Sequence, residues 1–288
     1  MNTIVCVKQV PDCTVVKYDI RTNCLENVHY IMDPIDEISV SEALKIREKN
    51  GGEVIAITLG PPRADKVMRS CLKMGVDHAV HLCDDSFDHI DSYATSRILA
   101  SHISQMKYDL ILCGNQSMDE GNGFVGPGIA GYLKLPLVTA VTRIDIFTDT
   151  MTAVVHRRLK GGDREIIESP LPAVLTVETM LTSPIYPRLR TILVGLKKDI
   201  STMDARALGI DKEPFEPAIT VTNISQPKPR LKKTATIDSS MTAQERMRFL
   251  MTGGIQQQSS KVVQKSPEAA AADIIQFLID NGIISQKR

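Results

Sequence analysis

Tryptophan is absent from this chain of 288 residues, and aromatic residues together make up 4% of it. Surfaces that hold single-stranded nucleic acid stack bases on aromatic rings, so that class of function is disfavoured. An excess of one charge is missing too. Lysines plus arginines number 34, as do aspartates plus glutamates, which leaves no field to concentrate nucleic acid or an anionic membrane surface. No run approaches the roughly 18 apolar residues of a membrane span, and the opening MNTIVCVKQVPD places Lys8 and Asp12 where a secretory signal would keep its apolar region. A cytoplasmic protein without a membrane span is expected. Cys6, Cys13, Cys24, Cys71, Cys83 and Cys113 include no C-x-x-C pair, which weakens zinc, iron–sulfur and redox-dithiol readings and favours reduced, mostly buried thiols. No G-x-x-x-x-G-K-[ST] occurs, and the glycines present are not taken as a Rossmann fingerprint.

What is there is an apolar share of 43%, ample for a core, in a length that allows one large α/β domain with an extension or two modest domains. Thr3 to Val7 is a continuous apolar run, the pattern of a strand buried on both faces of a parallel sheet. Residues 14 to 30 suggest an irregular hairpin around Arg21-Thr22-Asn23. Asp33 then suits an N-cap, Pro34 a first helical position, and Asp36 and Glu37 the positive end of the dipole. Ile35, Ile38, Ala43, Leu44 and Ile46 continue that helix to about Lys49. These caps explain Asp33-Pro34 without a ligand. A buried strand follows at 53 to 59, a helix at 63 to 74 closed by Gly75, a strand at 79 to 83, a helix at 92 to 105 and a strand at 110 to 113. His78 and His81 are placed on one side of a strand and, without a third ligand, are read as surface or satisfied histidines. The alternation predicts a doubly wound parallel α/β sheet, whose ligands bind beyond the carboxyl ends of the strands at a switch point.

Cys113 to Pro136, CGNQSMDEGNGFVGPGIAGYLKLP, is the stretch most suggestive of a site. Strand, glycine-rich turn and helix form a phosphate-site order, since glycines let backbone N–H groups approach an anion and a helix N-terminus leaves such groups unpartnered. A ligand-free surface loop is the alternative on the loop alone. The strand ends at Cys6 to Lys8 and Leu59-Gly60 are placed to share a cleft with it.

Beyond Pro136 the pattern predicts a β-hairpin across Gly161-Gly162, with Arg157-Arg158 as a solvated pair, and a strand at 171 to 177. Residues 182 to 198 form a proline-rich loop with an apolar Leu189 between Arg188 and Arg190, suited to anchor a partner. Residues 209 to 236 read as an extended arm, followed by helices at 242 to 252 and 267 to 281 with Gly282 as a cap. A short amphipathic helix after a polar arm suits a second subunit that receives it.

These residues resemble the β subunit of electron transfer flavoproteins, of FixA type and with features of the electron-bifurcating group. The likeness rests on VCVKQVPD, IMDPIDE, ITLGPPRADKVMRSCLKMGVDHA, LILCGNQSMDEGNGFVGPGIAGYL and LPAVLTVETMLTSPIYPRL, in that order. It implies an adenine-nucleotide-binding α/β domain over 1–205, resembling the adenine-nucleotide α-hydrolase fold and including the hairpin and a recognition loop at 182–198. It further implies that residues 206–288 are an arm and helices packing on an α subunit. The resemblance maps nucleotide contacts onto Cys6, Asp33, Pro34, Ile35, Leu59, Gly60, Asp119, Gly121, Asn122, Gly123, Phe124, Val125, Gly126, Gly128 and Ile129, reversing the ligand-free reading of Asp33-Pro34. Tyr186, Arg188 and Leu189 map to the dehydrogenase-docking loop.

Such members form a heterodimer with an α subunit that carries FAD and exchange electrons with a partner flavin dehydrogenase of acyl-CoA or related type. Their β cleft holds structural AMP or, in bifurcating members, a second FAD that exchanges a hydride with NADH, one electron then going uphill to ferredoxin or a similar acceptor and one downhill. The chain would not act as an enzyme alone. Bifurcating members read G-R-Q-A-I-D-G-D-T-A-Q-V-G-P, whereas here the arginine is Asn115 and the D-T-A-Q positions are Gly121, Asn122, Gly123 and Phe124. AMP-holding members carry Asp, Cys, Asn and Gln there, which is no closer. Phe124 either stacks on a ring or plugs the cleft, and FAD is favoured over AMP. The rival of another class is a nucleotide-binding regulator or ATP-using protein without flavin, for which no lysine or metal-binding carboxylate pair is obvious beside the glycine loop; a structural subunit with an empty cleft is the third reading.

Overall fold

The computed structural model describes residues 1–15, 17–19, 24–26, 28–87, 90–210, 218–219, 222, 241–251 and 265–280. They fall in two compact units, Met1–Thr222 and Asn223–Arg288. In the first, β1 (Thr3–Cys6) is buried at every residue, as its unbroken apolar run requires. Next come β2 (Gln9–Pro11), the expected hairpin of β3 (Lys17–Asp19) and β4 (Cys24–Glu26), and β5 (Tyr30–Met32), which pairs with β2. Asp33 caps α1 (Pro34–Asn50), its carboxylate accepting the Ile35 N–H. Then follow β6 (Val54–Leu59), α2 (Asp65–Met74), β7 (His78–Leu82), α3 (Ser92–Ile103), β8 (Leu110–Gly114) and α4 (Val125–Leu133). The chain continues as β9 (Leu137–Phe147), β10 (Thr152–Arg158), β11 (Arg164–Pro170), β12 (Ala173–Val177), α5 (Leu189–Gly195) and β13 (Ser201–Met203).

Among the described residues the main sheet has nine strands in the order β11-β10-β9-β12-β8-β1-β6-β7-β13. From β9 through β12 to β13 every neighbouring pair is parallel, and β10 and β11 extend the β9 end as an antiparallel hairpin. The pleat sends alternate residues to two cores. Val5, Leu110 and Leu112 meet Leu44 of α1 and Met68 and Cys71 of α2, while Ile4, Ile57 and Ile111 meet Ile98 of α3 and Ile129 of α4. Helices on both faces, with the strand order reversing between β1 and β8, are the doubly wound architecture expected. Each fully buried isoleucine or leucine here contributes on the order of 2 kcal/mol.

Two local readings change. His78 and His81 lie three residues apart and so face opposite sides of β7: His78 is exposed, while buried His81 donates from Nε2 to the Gly60 carbonyl at 3.0 Å. The pair Arg157–Arg158 is solvated only in part: Arg158 is exposed, Arg157 is half-buried, and both find partners. Arg158 meets Glu178 at 2.9 Å, and Arg157 bonds Thr139 at 3.2 Å and faces Glu165 at 3.7 Å.

The segment after β12 is held down by α2. Arg69 donates to the carbonyls of Gly195, Leu196 and Lys198, the orphan acceptors at the end of α5. A Cβ at Gly195 would stand 2.2 Å from the Leu72 carbonyl oxygen, so α5 and α2 touch through backbone. Gly195→Ala is therefore expected to lower stability by about 1–3 kcal/mol, read as a lower urea midpoint with an unchanged slope.

The second unit contains α6 (Ala243–Met251) and α7 (Pro267–Asp280). Met247 and Met251 on α6, and Ile274, Ile275 and Phe277 on α7, are exposed. The arm expected at 209 to 236 and the cap at Gly282 lie almost wholly outside the described residues.

Candidate nucleotide cleft

Where β1 and β8 part at their carboxyl ends, the last N–H groups of the two strands lose sheet partners, and Asp36 supplies what is missing. Its carboxyl accepts the Lys8 N–H at 2.7 Å and also the Gly114 N–H. A Cβ on residue 114 would lie 2.7 Å from Asp36 Oδ1, so the approach depends on glycine there. Burial, reinforced by the charge of Asp33, raises the Asp36 pKa to about 8, against the pull of the Lys8 and Gly114 N–H groups and the Lys8 ammonium. At neutral pH Asp36 is thus a protonated acid at the base of an open cleft.

That cleft has a volume of about 190 Å³ and opens to solvent, so a ligand the size of a dinucleotide would extend beyond its mouth. Cys6, Ile57, Leu59 and Cys113 form an apolar floor, α3 contributes Ser92, Thr95 and Leu99, and the loop after β8 contributes residues from Gln116 to Val125. The Cys113 thiol is pushed well above its usual pKa by the neighbouring Cys6 sulfur and by burial, so Cys113 is a protonated packing group beside buried Cys6.

The loop is tied at three points. Asp33 uses Oδ1 to cap α1 and Oδ2 to accept the Met118 N–H at 2.7 Å. Asn115 donates to Glu178, which also receives Arg158, and accepts from Thr176, whose hydroxyl takes the Ala140 N–H. The Lys8 ammonium bridges to Asp119 at 2.8 Å and Glu120 at 3.3 Å. Burial works against both charges of the closer pair, yet the contact prevails, raising the Lys8 pKa and, helped by Ser117, lowering that of Asp119.

Setting aside a Rossmann fingerprint needs correction. Gly121, Gly123 and Gly126 stand at G-x-G-x-x-G spacing; what differs is that residues 115–124 separate β8 from α4, so the motif does not directly follow its strand. Gly121 and Gly123 have φ of 63° and 60°, and a Cβ at Gly126 would meet Thr176 Cγ2 at 2.5 Å, the close helix–strand packing that the third glycine of such a motif permits. No side chain caps α4 at Phe124, and Val125 in its first turn lines the cleft.

Of the residues named from the resemblance, Cys6, Leu59, Asn122, Gly123, Phe124 and Val125 line the cleft. Asp33, Pro34 and Ile35 stand behind it: Asp33 is buried as cap and clamp, and Ile35 lies close to Gly114. Gly60 accepts His81, Asp119 pairs with Lys8, and Gly121 turns the loop and donates to Ser117. Gly126 is pressed against Thr176, Gly128 against Ser96, and Ile129 is wholly buried. Asp36, Glu120 and the start of α3 were not singled out as site residues. The signal for Asp36 was its place in the turn after Asp33-Pro34, which equally suits a residue serving the helix dipole. Tyr186 and Leu189 are 97% and 71% exposed at the entry to α5, with Arg188 as its N-cap residue, and none of the three lines the cleft.

Residues 22–208 match the electron transfer flavoprotein domain. The chain is 40% identical over 215 residues to the electron transfer flavoprotein subunit beta of Thermoanaerobacterium thermosaccharolyticum, covering 74% of this chain and 82% of that one. It is 39% identical over 217 residues to the caffeyl-CoA reductase-Etf complex subunit CarD of Acetobacterium woodii, with the same coverage of 74% and 82%. To protein FixA of Azotobacter vinelandii it is 33% identical over 251 residues, covering 83% and 89%. No helix among the described residues is long and apolar enough to cross a membrane. With a sheet, a cleft and relatives that agree, the chain belongs to the electron transfer flavoprotein family as a β subunit of FixA type.

Proposed function

We propose that this chain pairs with an α subunit, holds FAD in the cleft between β1, β8 and α4, and passes electrons between NADH or a partner acyl-CoA-type dehydrogenase and the FAD of the α subunit. The observation that carries this reading is the G-x-G-x-x-G turn leading into an uncapped helix start on a cleft at the sheet's switch point. Such a start leaves N–H groups and the positive dipole end free for a pyrophosphate. Among the described lining residues Lys8 is the one lysine or arginine, and it is already held by Asp119 and Glu120. Val125 and Gly126 would hold the phosphates, Asn122 and Gln116 offer polar contacts, and the Cys6–Leu59 floor excludes water from a ring. A bound flavin would supply the redox chemistry, accepting a hydride from NADH and, in the bifurcating mode, giving one of its two electrons to ferredoxin or a similar acceptor and the other downhill to the FAD of the α subunit.

The relative whose name joins an Etf to a caffeyl-CoA reductase supports docking to a dehydrogenase of that kind, for which exposed Tyr186, Arg188 and Leu189 are suited. The exposed apolar residues of α6 and α7 support the reading of residues 206–288 as an arm and terminal helices that pack on the α subunit, the second compact unit itself beginning at Asn223. A cytoplasmic location fits this role.

The test is to co-express the chain with an α-type subunit, purify and denature the complex, and quantify FAD and AMP per heterodimer. Two FAD and no AMP is the expected result. One FAD with one AMP would make the cleft a structural AMP site, and failure to associate or to carry any flavin would sink the electron-transfer role.

A further inference from the structure

One residue lining the cleft is aromatic, and two further rings outside the lining stand next to it. Phe124 lines the cleft at 40% exposure, its ring centroid 6.2 Å from that of Tyr93, which is itself 5.9 Å from Tyr132. Tyr93 and Tyr132 are 42% and 39% exposed. The chain has only 6 tyrosines and 6 phenylalanines, and the fully buried cores take one of them, Phe87. Three rings in one solvent-facing cluster beside a cleft are not needed to fold the sheet. They are also held in place. The Phe124 ring rests on the first turn of α4, where a Cβ at Gly128 would meet its Cε1 at 3.1 Å, and burial and a hydrogen bond with Tyr93 push the Tyr132 phenol up to about 12. The Tyr132 phenol therefore stays uncharged at physiological pH.

We propose that Phe124, Tyr93 and Tyr132 form a stacking ledge that receives the isoalloxazine ring of FAD at the cleft mouth, and that this ledge distinguishes FAD from AMP. The inference rests on the flavin reading above. The uncapped start of α4 lies next to Phe124, so a ligand whose phosphates bind there has the apolar floor on one side and the ledge on the other. The floor of Cys6, Ile57, Leu59 and Cys113 is apolar and mostly buried, suited to an adenine. The ledge is half open, which an electron-exchanging ring needs in order to meet its partners. Offset or tilted stacking on an aromatic face suits a flat, electron-poor ring system.

The experiment uses the co-purified α–β complex, stripped of its cleft ligand and titrated separately with FAD and AMP. Phe124→Ala is expected to weaken FAD binding about ten-fold, leave AMP binding unchanged and raise the fluorescence of the bound flavin, while Phe124→Tyr retains wild-type behaviour. Tyr93→Ala should produce the same FAD-selective loss, to a smaller degree. An unchanged FAD affinity in Phe124→Ala, or an equal loss for FAD and AMP, would overturn the ledge while leaving a flavin in the cleft. A wild-type complex that takes AMP but no cleft FAD would remove the flavin reading and the ledge together.

Discussion

The urea stabilities of the wild type and Asp36→Asn, followed from pH 4 to pH 9, are expected to cross. Folding raises the Asp36 pKa from an ordinary 3.8 to about 8, so between those values the unfolded chain has lost a proton that the folded chain keeps. Stability from this group is full below pH 4, falls as pH rises through that window, and levels off above pH 8. The whole effect amounts to at most roughly 6 kcal/mol. Asparagine cannot titrate, so its curve lacks this slope. It does offer one acceptor oxygen where the acid has two, leaving either the Lys8 or the Gly114 N–H short of a partner at about 1–3 kcal/mol, independent of pH. A constant offset and a lost slope together make the variant the weaker protein at pH 4 and the stronger one near pH 9. Parallel curves would mean that Asp36 is ionised throughout, with its N–H donors outweighing burial. Asp36→Ala removes both acceptors and is expected to be destabilised at every pH.

The frame of the molecule was legible because its signals are local. Unbroken apolar runs name the buried parallel strands, Asp33-Pro34 names a helix start, and Gly75 names a stop, each needing only its neighbours in the chain. The two cores follow, since strands that alternate with helices have few ways to cover both faces. The cleft was legible in outline, because Cys6, Leu59 and the glycine loop all sit at strand ends. What could not be read was the purpose of each residue once tertiary neighbours are added. Gly114, Gly126 and Gly128 share the look of phosphate-binding glycines with Gly123, but their missing side chains make room for Asp36, Thr176 and Ser96. Asp36 carries the mark of a dipole-friendly acid, and nothing in its spacing says that it reaches across to two strands. Tyr93 and Phe124 lie far apart in the chain, so their pairing becomes visible only when α3 packs on α4. The displaced G-x-G-x-x-G escaped notice because a Rossmann motif is sought directly after a strand, and here a long tethered loop intervenes.

Gly128→Ala is expected to disable the cleft, and Ser96→Gly, added to it, to restore it. A Cβ at residue 128 would lie 2.3 Å from Ser96 Oγ and 2.5 Å from Ser96 Cβ, too close for any real contact. Both residues sit on helices, α3 and α4, that are packed directly together, so neither backbone yields cheaply and overpacking of this kind costs about 1–3 kcal/mol. The strain falls on the first turn of α4, which carries Phe124 and the uncapped N–H groups, so ligand affinity should fall together with stability. Because the conflict includes Ser96 Cβ, Ser96→Ala should fail to relieve it while Ser96→Gly succeeds. The Ser96 hydroxyl donates only to the Tyr93 carbonyl within its own helix, so its removal loses little, although glycine in a helix interior costs about 1 kcal/mol by itself. A double-mutant cycle in urea should therefore show favourable coupling of about 1–2 kcal/mol between residues 96 and 128, with nucleotide binding returning in the Gly128→Ala, Ser96→Gly protein. Additive losses would instead place the sensitivity of Gly128 in the helix start itself, as expected if the first turn of α4 needs a bare backbone to admit a phosphate.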